Sequence, residues 1–361
     1  MWIIPVVIII GLLVLIYRIF PPSTGKIAPF TDENGNAKSG SIAEKTWVQI
    51  NGMKQGMIIR GEASTKPVLL FLSGGPGIPD YFLTRNYPTE LEKNFVVCYW
   101  DYRGTGLSFG KGMTQDGMTT KQFINDAIAV TNYLRLRFGQ EKIYLMGHSC
   151  GTYIGLQAAA QAPELYKAYI SMSQLVDQLE SEKLAYTKML AMYQESGNKK
   201  MVKKFLEYTI TQPEKQWVER WFASSLRDQA MHELGVGTMH KMKSVITSIF
   251  FPTLRCTDYS PVERINLWKG KIFAQNTSVA KDRMTFVAFD AVPSLDIPVY
   301  FLAGKYDLTC CYSLQQEYYR KLEAPVKAFY TFENSAHSPL FEEQEKAIQI
   351  LTQDIVNKIA E

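Results

Sequence analysis

Six short apolar runs, separated by helix-like stretches, constrain the fold of this chain more than any other feature. They are PVLLFL (67–72), FVVCYW (95–100), KIYLMG (142–147), KAYISM (167–172), PVYFLAG (298–304) and VKAFYTF (326–332). A run that stays apolar instead of alternating fits a strand covered on both faces. Between the runs, QFINDAIAVTNYLRLRF (122–138), the stretch from Thr152 to Ala162 and SLQQEYYRKL (313–322) read as helices. This alternation predicts a mostly parallel sheet flanked by helices. Upstream, KTWVQINGM and QGMIIRGE meet at Asn51-Gly52, a hairpin dipeptide, and read as two further extended segments.

The alternation breaks once. From Ser173 to Val292 the sequence is helical in character, as in LESEKLAYTKMLAMYQE and WVERWFASSL. That is too long for a simple crossover. It predicts an inserted helical lid over the C-terminal edge of the sheet, where open α/β sheets bind ligands. The expected organisation is a core of residues 41–172 and 293–361, with a lid of residues 173–292. Trp217, Trp221, Phe222, Phe250 and Phe251 would give that lid an aromatic surface for substrate.

The N-terminus reads differently. MWIIPVVIIIGLLVLIY carries no charge over seventeen residues, and Arg18 ends it. This is the short edge of what spans a bilayer, and neither a basic leader nor a small-residue cleavage site is visible. Trp2 and Tyr17 lie near its ends, where interfacial aromatics belong. Residues 1–20 are therefore expected to be a single-pass anchor in a lipid bilayer, and residues 21–40, rich in Pro, Gly, Ser and Asn, a tether. Arg18, Lys26 and Lys38 follow the span and favour a cytoplasmic catalytic domain.

Composition serves to exclude. A chain of 361 residues that is 46% apolar can build an ample core. A formal charge of +4, with no basic run, argues against nucleic acid as a partner. Five irregularly spaced cysteines (98, 150, 256, 310 and 311) form neither a disulfide framework nor a zinc pattern, so no metal is expected. GTGLSFG (104–110) has the wrong spacing for a dinucleotide loop, so no cofactor is expected either.

The chemistry concentrates at MGHSCGT. Gly147, Ser149 and Gly151 make a G-x-S-x-G that follows a strand and opens a helix, the context this motif requires. A serine in so tight a turn needs glycine two residues away on either side, where side chains would collide. Ser149 is the expected nucleophile. Of the four histidines (148, 232, 240 and 337), His148 is adjacent to the serine and points elsewhere, and two lie in the lid. His337, directly after the last strand, is left as the general base. Asp307, just past the run at 298–304, is the acid expected to orient it, with Asp177 as the competitor. The order Ser149, Asp307, His337 is that of the α/β-hydrolases. Oxyanion donors are expected from the backbone N–H of Cys150 and, in FLSGGPGIP (71–79), from Gly75, with Gly74 as the alternative.

With SGGPG, WDYRGTGLS, GHSCG, AGKYD and SAHSP in this order, the chain resembles the α/β-hydrolase superfamily, and within it the proline iminopeptidase branch, peptidase family S33. The resemblance runs from about Lys66 to the C-terminus. It implies an α/β-hydrolase fold with a helical cap, Ser149, Asp307 and His337 as triad, and Gly75 with Cys150 as oxyanion hole. It also implies that Asp101 and Arg103 brace loops beneath the site. Ser73 stands where the branch usually has histidine, and Cys150 where tryptophan is common. Peptidases of the branch read the substrate's amino terminus with lid carboxylates, for which Glu219, Glu233 and Glu263 are the candidates here. The expected activity is a serine hydrolase acting on a small molecule or short peptide, an N-terminal-proline aminopeptidase or else a carboxylesterase. The alternative from another class is a hydrolase-like fold that only binds.

Overall fold

The computed structural model describes residues 11, 14, 15, 17–75 and 77–357. β1 (Ile42–Ile50) and β2 (Met53–Gly61) form the antiparallel hairpin, which turns at Asn51 and Gly52 with φ of 45° and 78°. The six apolar runs become β3 (Val68–Leu72), β4 (Val96–Trp100), β5 (Ile143–His148), β6 (Tyr166–Met172), β7 (Val299–Gly304) and β8 (Lys327–Phe332). All eight lie in one sheet of order β1-β2-β4-β3-β5-β6-β7-β8. The pairs β1/β2 and β2/β4 are antiparallel and the others parallel.

The runs fail to alternate because both sheet faces are covered. Leu70 and Leu72 belong to one apolar cluster, while their neighbours Leu69 and Phe71 belong to the other. Among the covering helices are α1 (Thr120–Phe138), capped by the Thr119 hydroxyl and stopped by Gly139 at φ 62°, and α2 (Cys150–Gln161). From β3 the chain steps outward to β4, then crosses back over β3 to β5. Strand order therefore reverses between β3 and β5, whose ends pair at Leu72 and Gly147. Such a reversal opens a crevice at the carboxyl ends of the strands. Here it sets the loop after β3 beside the turn after β5.

Between β6 and β7 the chain is helical, as expected. Its longer helices are α3 (Gln178–Glu195), α4 (Lys199–Leu206), α5 (Glu214–Phe222), α6 (Ser225–Glu233) and α7 (Pro261–Gln275); α8 (Tyr312–Lys321) follows β7. The insertion lies over the C-terminal edge of the sheet. Gly237 O accepts from His337 N at 3.2 Å, Val236 O from Leu308 N at 3.1 Å, and Gln178 donates to Thr309 O at 3.1 Å. Its two ends are joined by Ala288 N donating to Val176 O at 2.7 Å and by an antiparallel bridge between Asp177 and Val287. Trp217 and Trp221 do not face a substrate. They stack at 6.2 Å between centroids and are buried with Tyr186 and Phe205 inside the insertion.

The membrane assignment is corrected. Among the described residues no helix is long and apolar enough to cross a membrane. Most of the stretch read as an anchor (residues 1–10, 12, 13 and 16) lies outside the described residues. The stretch that follows is held against the body of the protein. The Phe20 ring lies under Arg264 at 4.6 Å, Lys45 donates to Gly25 O at 2.7 Å, and Arg60 donates to Ala28 O at 2.7 Å while covering Phe30.

Candidate active site

The turn between β5 and α2 carries Ser149 at φ 54°, ψ −120°, half-buried at the start of the helix. A non-glycine residue at positive φ is strained by about 1–2 kcal/mol, and the packing around the turn enforces it. A Cβ on Gly147 would come within 2.7 Å of Gly151 O, and one on Gly151 would overlap Leu72 O. The two glycines thus let the turn close against itself and against β3. Ser149 Oγ has no hydrogen-bond partner among the described residues. Catalytic hydrogen bonds often tighten only when substrate is bound.

Asp307 and His337 come from the loops after β7 and β8. Asp307 is fully buried, and its Oδ2 accepts from His337 Nδ1 at 2.9 Å and from Gln315 at 3.2 Å. Its Oδ1 accepts from the N–H groups of Thr309 at 2.8 Å and Cys310 at 3.0 Å. The competing acid, Asp177, instead caps α3 by accepting from Glu180 N at 2.9 Å. With Nδ1 donating to Asp307, His337 keeps Nε2 as an acceptor for a serine proton.

His148 has both ring nitrogens engaged and is part of the frame. Its Nδ1 meets Asp80 Oδ2 at 2.7 Å and its Nε2 meets the His337 carbonyl at 2.9 Å. A carbonyl oxygen only accepts, so Nε2 carries a proton. Asp80 Oδ2 already accepts from Gly74 N at 3.0 Å, so it faces Nδ1 as an acceptor too. As an imidazolium facing a carboxylate, with both ring nitrogens donating, His148 satisfies all of these contacts. Burial works to lower its pKa, but the Asp80 carboxylate and the His337 carbonyl outweigh that and hold it above the ordinary value. Ser173, at φ 57°, adds a second donor to the His337 carbonyl at 2.9 Å. The ring of His148 lies 5.2 Å from that of His337.

The same pair separates the two oxyanion candidates. The Gly74 N–H is taken by Asp80, whereas Gly75, at φ 118°, has a backbone N–H with no partner among the described residues. The loop lies against the elbow, since a Cβ on Gly74 would sit 3.3 Å from Ser149 Cβ. Cys150 N–H, at the first position of α2, is likewise uncommitted, as the first N–H groups of a helix are. Ser73, in the place of the usual histidine, accepts from Asp80 N at 3.0 Å, and its carbonyl accepts from Tyr102 at 2.7 Å.

Asp101 and Arg103 brace loops. Asp101 accepts from Leu107 N at 2.6 Å, and burial pushes its carboxyl up to about 8. Arg103 grips Asp126 through two bonds of 2.9 and 3.1 Å. Of the acids expected to read an amino terminus, Glu219 and Glu233 face solvent. Glu263 pairs with Lys45 at 2.7 Å and closes the capping box of α7. Two lid carboxylates are buried, and both are matched: Glu182 by two bonds to Arg227, at 2.6 and 2.7 Å, and Asp258 by Arg85 at 3.0 Å and the Tyr81 hydroxyl at 2.6 Å. Two cations from the insertion, unread in the sequence, flank the oxyanion loop. Arg283 Nη1 donates to Gly75 O at 2.5 Å, and Lys271 packs its stem on Gly77. A basic residue inside the insertion, more than a hundred positions from the oxyanion loop and the elbow, carries no signal in sequence that it will reach them.

Comparison with known proteins identifies the family. Residues 67–344 match the family model described as alpha/beta hydrolase fold. The chain is 34% identical over 303 residues to the probable aminopeptidase YbaC of Bacillus subtilis, covering 84% of this chain and 93% of that one. Among solved structures it superposes on proline iminopeptidase from Mycobacterium smegmatis with a TM-score of 0.59 at 14% identity, over 88% of this chain and 99% of that one. It also superposes on VinJ with a TM-score of 0.60 at 16% identity, over 87% and 98%. At these identities the solved structures bear on the fold alone, but the sheet order, the family match and the long YbaC alignment converge: the chain belongs to the alpha/beta hydrolase family.

Proposed function

We propose that the protein is a serine hydrolase that cleaves an amide or ester through an acyl-enzyme. The observation that carries this reading is the buried Asp307–His337 bond of 2.9 Å at the sheet edge where Ser149 tops its strained turn. Ser149 Oγ attacks the carbonyl carbon while His337 Nε2 takes its proton. Asp307 holds the ring and stabilises the imidazolium. The N–H groups of Gly75 and Cys150 receive the oxyanion. His337 then protonates the leaving group, and water, deprotonated in turn by His337, releases the acid. The helical insertion serves as the lid that excludes bulk water.

The long likeness to YbaC, named a probable aminopeptidase, supports a short peptide, including one with N-terminal proline, as substrate. Esters are supported by a different observation. The lid glutamates suited to an amino terminus lie on the surface, in the α7 cap, or in the bidentate pair with Arg227. Wild-type protein should be labelled by a fluorophosphonate probe and Ser149→Ala should not; labelling of the mutant at the wild-type rate would sink the assignment. Turnover of proline-β-naphthylamide beside that of a p-nitrophenyl ester series separates peptidase from esterase.

A further inference from the structure

Two guanidinium groups of the insertion share the ring of Phe222, and their charges are treated differently. Arg227 lies 4.6 Å from the ring centroid and is neutralised by Glu182 at 2.6 Å and by Asp228 at 3.2 Å. Arg283 lies 5.3 Å from the same centroid, and among the described residues no carboxylate pairs with it. Its neighbour in sequence, Asp282, is bound to the Thr120 hydroxyl at 2.9 Å. The protein contacts of Arg283 are the Ala280 carbonyl at 3.3 Å, the Gly75 carbonyl at 2.5 Å and the thiol of Cys150. It therefore touches both residues whose N–H groups would hold the oxyanion.

The charge is not balanced from across the loop. Lys271, on α7, packs its stem against Gly77 and carries its ammonium over Trp268 at 5.1 Å. Among the described residues it too lacks an ion-pair partner, and burial, opposed only by the more distant Asp228, lowers its pKa. A half-buried guanidinium with planar donors to spare, beside a second cation, is arranged to meet an oxyanion.

We propose that Arg283 sets substrate specificity by binding a carboxylate that the substrate carries close to its scissile carbonyl. This rests on the serine hydrolase reading for its catalytic consequence, but not for the binding itself. The carboxylate has two sources, the acyl half of a diacid monoester or the free C-terminus of a dipeptide.

Two matched pairs distinguish them: p-nitrophenyl hydrogen glutarate against p-nitrophenyl pentanoate, and prolylglycine against prolylglycinamide. In wild-type protein one acid should exceed its neutral partner about 30-fold in kcat/KM, the worth of a charge-assisted contact. Arg283→Gln should collapse that ratio, and Arg283→Lys should restore part of it. Because Arg283 also braces Gly75, the ratio rather than the absolute rate is the readout. Absence of acid preference in both pairs, or a ratio unchanged in Arg283→Gln, overturns the proposal. If fluorophosphonate fails to label Ser149 and nothing is turned over, the hydrolase reading falls, and glutarate binding by calorimetry then decides this one. Binding weakened about 30-fold by Arg283→Gln upholds it, and no binding to wild type overturns it.

Discussion

At the scale of single residues, the frame around the proposed triad depends on one buried pair. His148 and Asp80 are 4% and 7% exposed, and each holds a loop: Asp80 the glycine loop through Gly74, His148 the histidine loop through the His337 carbonyl. Removing one partner leaves an uncompensated buried charge, which costs about 3–5 kcal/mol. Asp80→Asn should therefore lower unfolding free energy by about 3 kcal/mol, measured by urea denaturation. Combining it with His148→Gln should cost less than the sum of the two single changes. Strict additivity in that double-mutant cycle would show that the pair is not coupled. The sequence gives His148 only by its adjacency to Ser149. Reasoning from the motif sets it aside as a base but names no partner for it, and the groups it bonds lie 68 and 189 positions away. Asp80 has no local signal at all, being an acid in a loop, a type of residue that is usually solvated.

At the scale of elements, β3 to β8 were legible to within one residue, because all but the half-buried edge strand β8 are buried along nearly their whole length and so stay apolar. The proposed triad of Ser149, Asp307 and His337 could be picked out because all three follow strand ends, which a strand pattern locates. The histidine loop was less so. The two glutamates that close FENSAHSPLFEE turn back on it. Glu342 accepts from Ala336 N at 2.9 Å and His240 N at 2.6 Å, and Glu343 from Asn334 N at 2.9 Å. Burial pushes the Glu342 carboxyl from 4.5 up to about 7, against the opposing pull of those N–H donors. Between these values the folded state holds a proton that the unfolded chain has lost. The contribution of Glu342 is then greatest below pH 4.5 and declines as pH rises to about 7. Relative to Glu342→Gln, which does not titrate, wild-type protein should lose roughly 1 kcal/mol of stability between pH 5 and 8, the full shift being discounted for partial exposure. Parallel melting-temperature profiles of the two proteins across that range would refute it.

At the scale of the whole molecule, the chain was read as a core with a lid and a tethered N-terminus, and the last of these differed most. Composition rich in Pro, Gly and Ser marks a segment without regular structure, but it does not say whether that segment is free. Here Phe20 covers a fully buried arginine, and Gly25 and Ala28 satisfy Lys45 and Arg60. Deleting residues 1–30 uncovers these cations, and the melting temperature should fall by about 2–3 °C, as for a loss of roughly 2 kcal/mol in a chain this size. An unchanged melting temperature would mean that the contacts carry no net stability.

The insertion also leaves and returns through a single point, where Val176 and Asp177 meet Val287 and Ala288. A unit whose two ends touch can be lengthened, shortened or exchanged without shifting the strands on either side. The proposed triad and oxyanion loop stand on one side of that seam, and Arg283 and Lys271 on the other. On the proposed reading, bond cleavage and substrate choice are then heritable separately: a graft of residues 178–286 from a relative, with the bonds to Gly75, Leu308 and His337 retained, should transfer preference between acid and neutral substrates while fluorophosphonate labelling of Ser149 persists.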